Sequence, residues 1–407
     1  MTVSVLAFRT HRAVPSLGAV EARGRSVRRR VGVAWGLLVL NSITYDGSAL
    51  HIPDSVGKII QQGALPVALL VALTVNRRVI VRPNVFLCLV SLLALESVIT
   101  TLQPQHLGTV YRFVRSVEFV AGLWLLTPWW GRRDLLLLRA YLVSLSVALG
   151  TVILGALVMP GHAFVGGRLT GAFWVIPATE VGHYAAVTAG LFVVLWLGHM
   201  VSGRAAAAVF TAGLAIIILS HTRTALVGMV AALLVAGLSM IATRARARRL
   251  FAAAAVAALI GIITAAGVVV SWLARGQNAS ELASLTGRTD FWHLVLTVPR
   301  TRFQEIFGFG LSNGSIDGLP IDSNWLTAYL EQGLFGVIVC ALMVPFLLVA
   351  AFFRPPGTGR ALAFFLITYC LVSSFTEVGF DQPTTYLLEL TLAASLMTPP
   401  IAGRWLG

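Results

Sequence analysis

The sequence predicts an all-α polytopic membrane protein with about 12 transmembrane helices and one large structured extracytoplasmic loop. Of the 407 residues, 57% are hydrophobic and only 11% are charged, and the mean hydropathy is +0.85. A soluble domain carries about 25% charged residues, so this composition excludes a soluble enzyme, a disordered scaffold and a disulfide-rich secreted framework. A net charge of +14 would indicate nucleic-acid binding in a soluble protein. In a membrane protein, basic residues also determine which way the helices cross the bilayer.

About twelve apolar runs approach the roughly 20 residues that a bilayer-crossing helix needs. They lie at 31–45, 57–75, 84–102, 109–129, 135–159, 179–198, 205–220, 223–242, 250–272, 325–353, 361–377 and 384–401. The chain therefore divides into four parts, which are a basic cytoplasmic arm at 1–30, helices one to nine at 31–272, a large extracytoplasmic loop at 273–324 and helices ten to twelve at 325–407. The arm is not a signal peptide, because its polar, Arg-rich residues precede the first apolar run and no cleavage site follows.

The arginines orient these helices. If the N-terminus is cytoplasmic, every Arg-rich connection falls on the same side, as the positive-inside rule requires. These connections lie at 76–83, 130–134, 199–204, 243–249 and 354–360. Both termini are then cytoplasmic, and topology explains most of the basic charge without nucleic acid. No metal site is predicted, since the three cysteines lie in apolar runs and the eight histidines are scattered.

The connection at 273–324 is the longest and is predicted to be ordered. A short helix is predicted over 291–298, with Thr289 and Asp290 as its cap. A glycine-rich turn follows at 308–314. Loops of this length in a compact protein are usually functional or disordered, and the aromatic and apolar residues in this one favour order against the membrane surface.

Basic residues on the predicted outer side are informative, because orientation does not explain them. They are Lys58, Arg112, Arg115, Arg168, Arg223, Arg275, Arg288, Arg300 and Arg302. Arg223 lies between two apolar runs with almost no loop, and an arginine at a bilayer centre costs about 2.5–3.5 kcal/mol. Two interpretations are open: Arg223 extends to lipid phosphates at a helix end, or it binds an anion in an outward-facing pocket.

Other outer arginines carry similar alternatives. Arg288 precedes the predicted loop helix, where a helix N-terminus and a guanidinium together favour phosphate or diphosphate. It can equally pair with Asp290 on a solvated loop. Arg112 and Arg115 share one helical face with Glu118, which favours a structural ion pair for at least one of them.

Three acidic residues complete the set of candidates. Asp322 lies where the long loop re-enters the membrane, and it can cap the tenth predicted helix, accept a proton from a substrate hydroxyl, or do both. Glu331 and Glu389 are predicted inside the membrane, where they are functional candidates or neutralise an arginine. Arg168, in a glycine-rich loop, is compatible with a structural or a functional role.

At these residues the sequence resembles the O-antigen ligase and O-antigen polymerase (Wzy-type) family of bacterial membrane glycosyltransferases. SHTRTA at 220–225 is similar to the family's Ser-x-(Ser/Thr)-Arg-Thr segment, and TGRTDFW at 286–292 to its Gly-Arg-x-x-x-Trp element. Residues 322–336 read Asp-Ser, nine residues, then Gly-Leu-Phe-Gly, which is close to a ligase pattern that begins with His. RLTG at 168–171 with Pro177 resembles a looser family segment.

The resemblance spans residues 160–340 and departs from the family at two positions. Ligases have a histidine, their proposed catalytic base, where this chain has Asp322. A carboxylate can do the same work, and polymerase-side members often lack that histidine, so a polymerase is favoured over a ligase. The family's asparagine after the loop proline is also absent, since Ala178 follows Pro177.

The resemblance implies a GT-C-like fold and a metal-independent, inverting enzyme without a cofactor, in the bacterial cytoplasmic (inner) membrane with its active site facing outward. Its donor would be a polyprenyl-diphosphate-linked glycan and its acceptor a glycan or lipid, with no nucleic acid. Asp322 would be the base, and Arg223 and Arg288 would stabilise the leaving diphosphate. Further contacts to diphosphate and glycan are implied for Arg168, Arg112, Arg115, His221, Trp292 and Asn324.

A polytopic transporter or a lipid-linked glycan flippase is the alternative. About twelve helices with intramembrane charges fit that class too. The sequence shows no internal repeat, however, and its charged residues cluster on one side rather than at the midplane. The large ordered loop also suits a surface enzyme better, and a purely structural role leaves Arg223 unexplained.

Overall fold

The computed structural model describes residues 17–43, 54–101, 107–254, 288–312, 315–316 and 319–399, and this part of the chain is almost wholly α-helical. Its helices in chain order are α1 (Leu17–Ser42), α2 (Asp54–Val75), α3 (Val85–Thr101), α4 (Leu107–Leu126), α5 (Leu136–Val158), α6 (Pro160–Ala163), α7 (Ala178–Leu197), α8 (Gly203–Ser220), α9 (Arg223–Ile241), α10 (Arg288–Thr297), α11 (Arg302–Phe307), α12 (Asn324–Phe353), α13 (Thr358–Ser373) and α14 (Thr385–Met397). A 3₁₀ turn follows α4 at Thr127–Trp129, and residues 245–254 are also helical.

Two short antiparallel hairpins lie between the helices. They pair β1 (Phe164–Val165) with β2 (Arg168–Leu169), and β3 (Ser315–Ile316) with β4 (Leu319–Pro320). Gly166 and Gly167 form the first turn with φ of +56° and +75°, values that glycine adopts without strain. The first hairpin thereby gives Arg168 a defined backbone position.

Six of the described helices are long and apolar enough to cross a membrane: α2 from Ser55, α5, α7, α8, α9 and α12. Shorter apolar helices are Val85–Thr100 of α3, α13 and α14. The protein is therefore an all-α membrane protein, as its composition predicts. The predicted runs at 135–159, 179–198, 205–220 and 223–242 coincide with α5, α7, α8 and α9 to within a few residues, whereas most of the run at 250–272 lies outside the described residues.

α7 lies at the centre of the bundle and packs against α8, α9 and α13. Small residues allow this close approach, as is usual between transmembrane helices. A Cβ on Gly190 would overlap the Phe365 ring of α13, and one on Gly213 of α8 would lie 2.8 Å from the Cβ of Ala189. α7 therefore fixes where the ends of α8, α9 and α13 meet.

α12 is broken at Gly333, whose backbone has a φ of +64° and a ψ of −158°. The glycine-rich turn that precedes α12 packs against this break. Phe309 N–H donates to Leu330 O at 2.8 Å, and Gly310 N–H donates to Glu331 O at 2.9 Å. These carbonyls would otherwise lose their helical partners at the break. Residues 308–312, the part of the predicted glycine-rich turn that the structure describes, are therefore attached to the first half of α12.

Replacement of Gly333 by alanine is expected to lower the free energy of unfolding by about 2–4 kcal/mol. A Cβ at this position would lie 2.5 Å from the backbone of Ile306, and this φ strains any residue other than glycine. Thermal unfolding in detergent measures the effect. Gly150→Ala in α5 is the control, because an added Cβ there meets nothing within 4 Å and a gain of up to about 1 kcal/mol is expected. Equal melting temperatures for the two variants would contradict the role given to Gly333.

The predicted loop helix exists, but its boundaries differ from the expectation. The sequence predicts it over 291–298 with Thr289 and Asp290 as the cap, whereas α10 begins at Arg288 and ends at Thr297. The cap prediction is therefore wrong, because Thr289 and Asp290 lie inside α10. Arg288 also lies in α10 instead of preceding it.

Candidate functional site

The candidate site is built on the tight turn between α8 and α9, which carries the SHTRTA segment. α8 ends at Ser220, and His221 has a left-handed backbone with a φ of +51°. Thr222 is the N-cap of α9, which begins at Arg223. The Thr222 hydroxyl donates to Ala178 O at 3.0 Å, so the turn is attached to the start of α7. Arg223 is half-buried here beside the positive end of a helix, and the two together favour an anion.

Arg168 reaches the same turn from the first hairpin. Its Nε donates to Ser220 O at 3.0 Å, and its side chain is half-buried. A guanidinium at the C-terminal carbonyls of a helix is favourable, so Arg168 has a structural role at the end of α8 in addition to the charge that it adds. Two of the sequence-predicted arginines, Arg168 and Arg223, therefore lie at one turn although they are distant in the chain.

Residues 374–380, which follow α13, link the start of α9 to the start of α12. The hydroxyls of Thr224 and Thr376 share a hydrogen bond of 2.9 Å. Asn324 N–H donates to Ser374 O at 3.0 Å. The N-terminal ends of α9 and α12 therefore lie at the same end of the bundle.

Asn324, a predicted substrate contact, is fully buried. Its Oδ1 accepts the backbone N–H groups of Gly379 at 3.0 Å and Phe380 at 2.7 Å. The side chain of the next residue, Trp325, donates to the Ser374 hydroxyl at 3.1 Å. The bonds of Asn324 give it a structural role, holding the connection between α13 and α14 against α12.

Asp322 lies directly before α12, between Ile321 and Ser323, which are both buried. The N-cap of α12 is Ser323, whose backbone is extended with a φ of −160°. The interpretation of Asp322 as the cap is therefore wrong, because α12 begins one residue too late for it. Asp322 itself is half-buried, and its role as a general base stays a prediction.

α4 directs its two arginines to different partners. Arg112 Nη1 donates to Leu311 O at 3.4 Å, so it contacts the loop beside the break in α12. Arg115 Nη2 donates to the Asn41 Oδ1 of α1 at 2.9 Å. Arg115 thus contacts Asn41, and of the two predicted substrate contacts it is Arg112 that touches the loop before α12.

α10 carries the other two predicted site residues and packs on the start of α12. Trp292 is half-buried, and its indole N–H has no hydrogen-bond partner among the described residues. The side chain of Arg288 lies outside the described residues. Its approach to Arg223 and Asp322 therefore stays a prediction.

Three buried carboxyl groups interact electrostatically beside the break in α12. Glu331 accepts both the N–H and the hydroxyl of Ser312, at 2.9 and 2.7 Å, and the side-chain amide of Gln382 at 2.8 Å. This predicted functional candidate therefore holds the loop in place. Glu96 of α3 and Asp381 were not predicted, yet they are only 2% and 6% exposed. Their carboxyl oxygens have no hydrogen-bond partner among the described residues.

Asp381 predicts a measurable pH dependence of stability. Burial and the neighbouring Glu331 raise its pKa from 3.8 to about 8. Between these values the folded protein holds a proton that the unfolded chain has lost, so stability falls as the pH rises. Asp381→Asn is expected to remove the part of this pH-dependent loss of stability that Asp381 causes. Melting temperatures in detergent at about pH 5 and about pH 8 test it.

Asp134 provides the control, because its pKa is lowered whereas the pKa of Asp381 is raised. Burial acts to raise its pKa, but the hydrogen bond from Arg132 and the charges of Arg132 and Arg28 lower the pKa overall. Its contribution is present above a pH of about 3.9 and is lost on acidification, so Asp134→Asn should lower both melting temperatures equally. An unchanged pH slope in Asp381→Asn would show that another group titrates.

A second polar network surrounds Glu389, in the interior of the bundle. Glu389 Oε1 accepts the Tyr141 hydroxyl at 2.6 Å and lies 2.8 Å from His183 Nε2. The Cys370 thiol lies 3.3 Å from its Oε2. Glu389 is fully buried, and its partners come from α5, α7 and α13. This carboxyl therefore joins four helices, and its basic partner is a histidine.

No protein-family model matches the chain, and no curated protein matches it. The family resemblance therefore rests on the motifs at 168–171, 220–225, 286–292 and 322–336 alone.

Proposed function

We propose that this protein is an integral-membrane glycosyltransferase of the bacterial cytoplasmic membrane. It transfers or polymerises a glycan from a polyprenyl-diphosphate-linked donor onto an acceptor hydroxyl at the outer face, and we favour polymerisation over ligation. Both termini are cytoplasmic in this proposal, and about twelve helices span the bilayer. One observation carries it: Arg168 and Arg223 lie at one turn, at the end of the bundle where Asp322 precedes α12.

The charge at this turn supports an anionic ligand. Arg168 and Arg223 bring two half-buried guanidinium groups to this turn, and their positive charge attracts an anion. Arginine binds diphosphate through paired N–H groups, and the start of α9 adds the positive end of a helix. A lipid-linked diphosphate meets these requirements, and its leaving charge develops where the arginines can stabilise it.

The proposed reaction is a displacement at the anomeric carbon. The acceptor hydroxyl gives its proton to the Asp322 carboxylate, and its oxygen forms the new glycosidic bond. The bond between the anomeric carbon and the diphosphate oxygen breaks, and the electron pair leaves with the polyprenyl diphosphate. Attack from the opposite face inverts the configuration. Arg288, at the first position of α10, would stabilise the leaving group together with Arg223.

Incubation of the purified protein with a polyprenyl-diphosphate oligosaccharide tests the proposal. A polymerase lengthens the lipid-linked glycan without another acceptor, whereas a ligase needs a distinct acceptor and transfers the glycan to it. Release of free polyprenyl diphosphate is expected in both cases. If the donor is unchanged in every mixture, the glycosyltransferase proposal is wrong.

The buried carboxyls of Glu96 and Asp381 favour a transporter or flippase as the second candidate. Carboxyls without hydrogen-bond partners inside a membrane protein often mark a transport path. Proteoliposomes that contain a fluorescent lipid-linked oligosaccharide separate the two functions. A flippase moves unchanged substrate between leaflets, whereas the enzyme produces longer or transferred glycan.

A further inference from the structure

A cavity of about 280 Å³ opens at the other end of the bundle from the candidate site. α13 connects the two ends, because Gly359 near its start lines the cavity and Ser374 just after its end binds Asn324. The 16 residues of α13 correspond to about 24 Å of helix. The cavity is therefore separate from the site proposed for glycan transfer.

Three arginines give this cavity a positive charge. Arg132 is held by two contacts to Asp134, at 3.1 and 3.0 Å, and Arg354 by the carbonyl of Thr398 at 3.1 Å. Arg133 is exposed and makes no hydrogen bond or ion pair with the described residues. No acidic side chain of the described residues lines the cavity, so at least one guanidinium is available to an external anion.

Two helix N-termini lie at this cavity, and one of them adds to its charge. The first turn of α5, at 136–138, and Gly359 of α13 line the cavity. At the start of α5 the Asp134 carboxylate already accepts the Leu136 N–H. At the start of α13 the N-cap residue Gly357 provides no side-chain cap, although the first N–H groups of a helix need partners from outside it. The positive end of α13 therefore favours an anion in the same place as the arginines.

The remaining wall is apolar and includes Trp129, Leu392 and Leu396. We propose that this cavity binds the phosphate head group of an anionic membrane phospholipid, whose acyl chains extend along these apolar side chains. Its volume is near the lower end of small-molecule sites, about 300–1,000 Å³, which suits a head group but not a whole lipid. Basic pockets between transmembrane helices are a known place for such recognition.

Thermal unfolding of the full-length protein in detergent tests this site. Phosphatidylglycerol is expected to raise the melting temperature in proportion to the logarithm of the lipid concentration, since a ligand that binds only the folded protein stabilises the fold. Phosphatidylcholine and inorganic phosphate should have no such effect. Equal stabilisation by phosphatidylcholine would overturn the anionic head group, and equal stabilisation by phosphate would overturn the lipid.

Matched variants locate the binding. The double variant Arg133→Gln/Arg354→Gln is expected to bind phosphatidylglycerol about tenfold or more weakly, because it loses two charge-assisted contacts. Arg133→Gln alone should weaken binding less. This single variant keeps the test valid if Arg354→Gln disturbs folding, because Arg133 makes no bond to the described residues that the substitution would remove. Arg204→Gln is the control, since Arg204 is exposed at the start of α8 and does not line the cavity. Unchanged binding in both test variants, or an equal loss in the control, would overturn the assignment.

Discussion

Asp322→Asn is expected to lower the rate of glycan transfer by about 10²–10⁴-fold, the usual contribution of a general base. Asparagine has nearly the same shape as aspartate but cannot accept the proton of the acceptor hydroxyl. Ser323, not Asp322, occupies the N-cap position of α12, and the melting temperature of the variant shows whether the fold is kept. The rate is measured with purified protein, polyprenyl-diphosphate oligosaccharide and acceptor, at equal amounts of folded enzyme.

Two further variants make this test specific. Asp322→His introduces the residue type of the ligases, and it is expected to keep part of the activity above a pH of about 6.5, where imidazole is neutral. Glu305→Gln is the matched control, because it removes a loop carboxylate that pairs at 3.2 Å with the exposed Arg302. If Asp322→Asn stays within about threefold of the wild-type rate, far less than a base contributes, Asp322 is not the base.

Arg223→Gln is expected to reduce kcat by about 10²–10³-fold, as for loss of one preorganised group that stabilises developing charge. The guanidinium would interact most strongly with the diphosphate as it leaves, so the effect should fall on kcat more than on KM. Arg223→Lys keeps the charge but loses the paired N–H geometry, and we expect an intermediate rate. Initial rates over a range of donor concentrations separate kcat from KM.

Arg302→Gln is the control for this series, because the Arg302 side chain is 94% exposed on α11. Its rate should equal that of the wild type. A raised KM with unchanged kcat in Arg223→Gln would restrict Arg223 to ground-state binding of the donor. Unchanged values of both constants, with an unchanged melting temperature, would remove Arg223 from the site.

The core helices were largely predictable from the sequence, but some of their ends were not. The polar SHTRTA segment between two apolar runs locates the turn between α8 and α9, because apolar length and polar breaks determine such boundaries. At α12 the local signal is ambiguous, since Asp322 and Ser323 are both good N-caps. The long-range bond from Asn324 N–H to Ser374 O accompanies the later start, and no local pattern reveals it.

The same difference applies to the candidate site. Arg168 and Arg223 could be selected from the sequence, because they are basic residues on the side of the membrane where the positive-inside rule does not explain them. The structure brings them to one turn. Glu96 was missed although an acidic residue in an apolar run is a detectable signal. Asp381 carried no such signal, because acidic residues between helices are usually solvated. Its burial depends on how the connection between α13 and α14 folds against α12, with Glu331 nearby.

The break in α12 has a consequence for cooperative unfolding. The carbonyls of Leu330 and Glu331 find their partners in Phe309 and Gly310, and a buried carbonyl left without a partner costs about 1–3 kcal/mol. Opening of this turn removes both bonds from α12 at once. Residues 309–310 and the first half of α12 are therefore expected to exchange their amide hydrogens as a single unit.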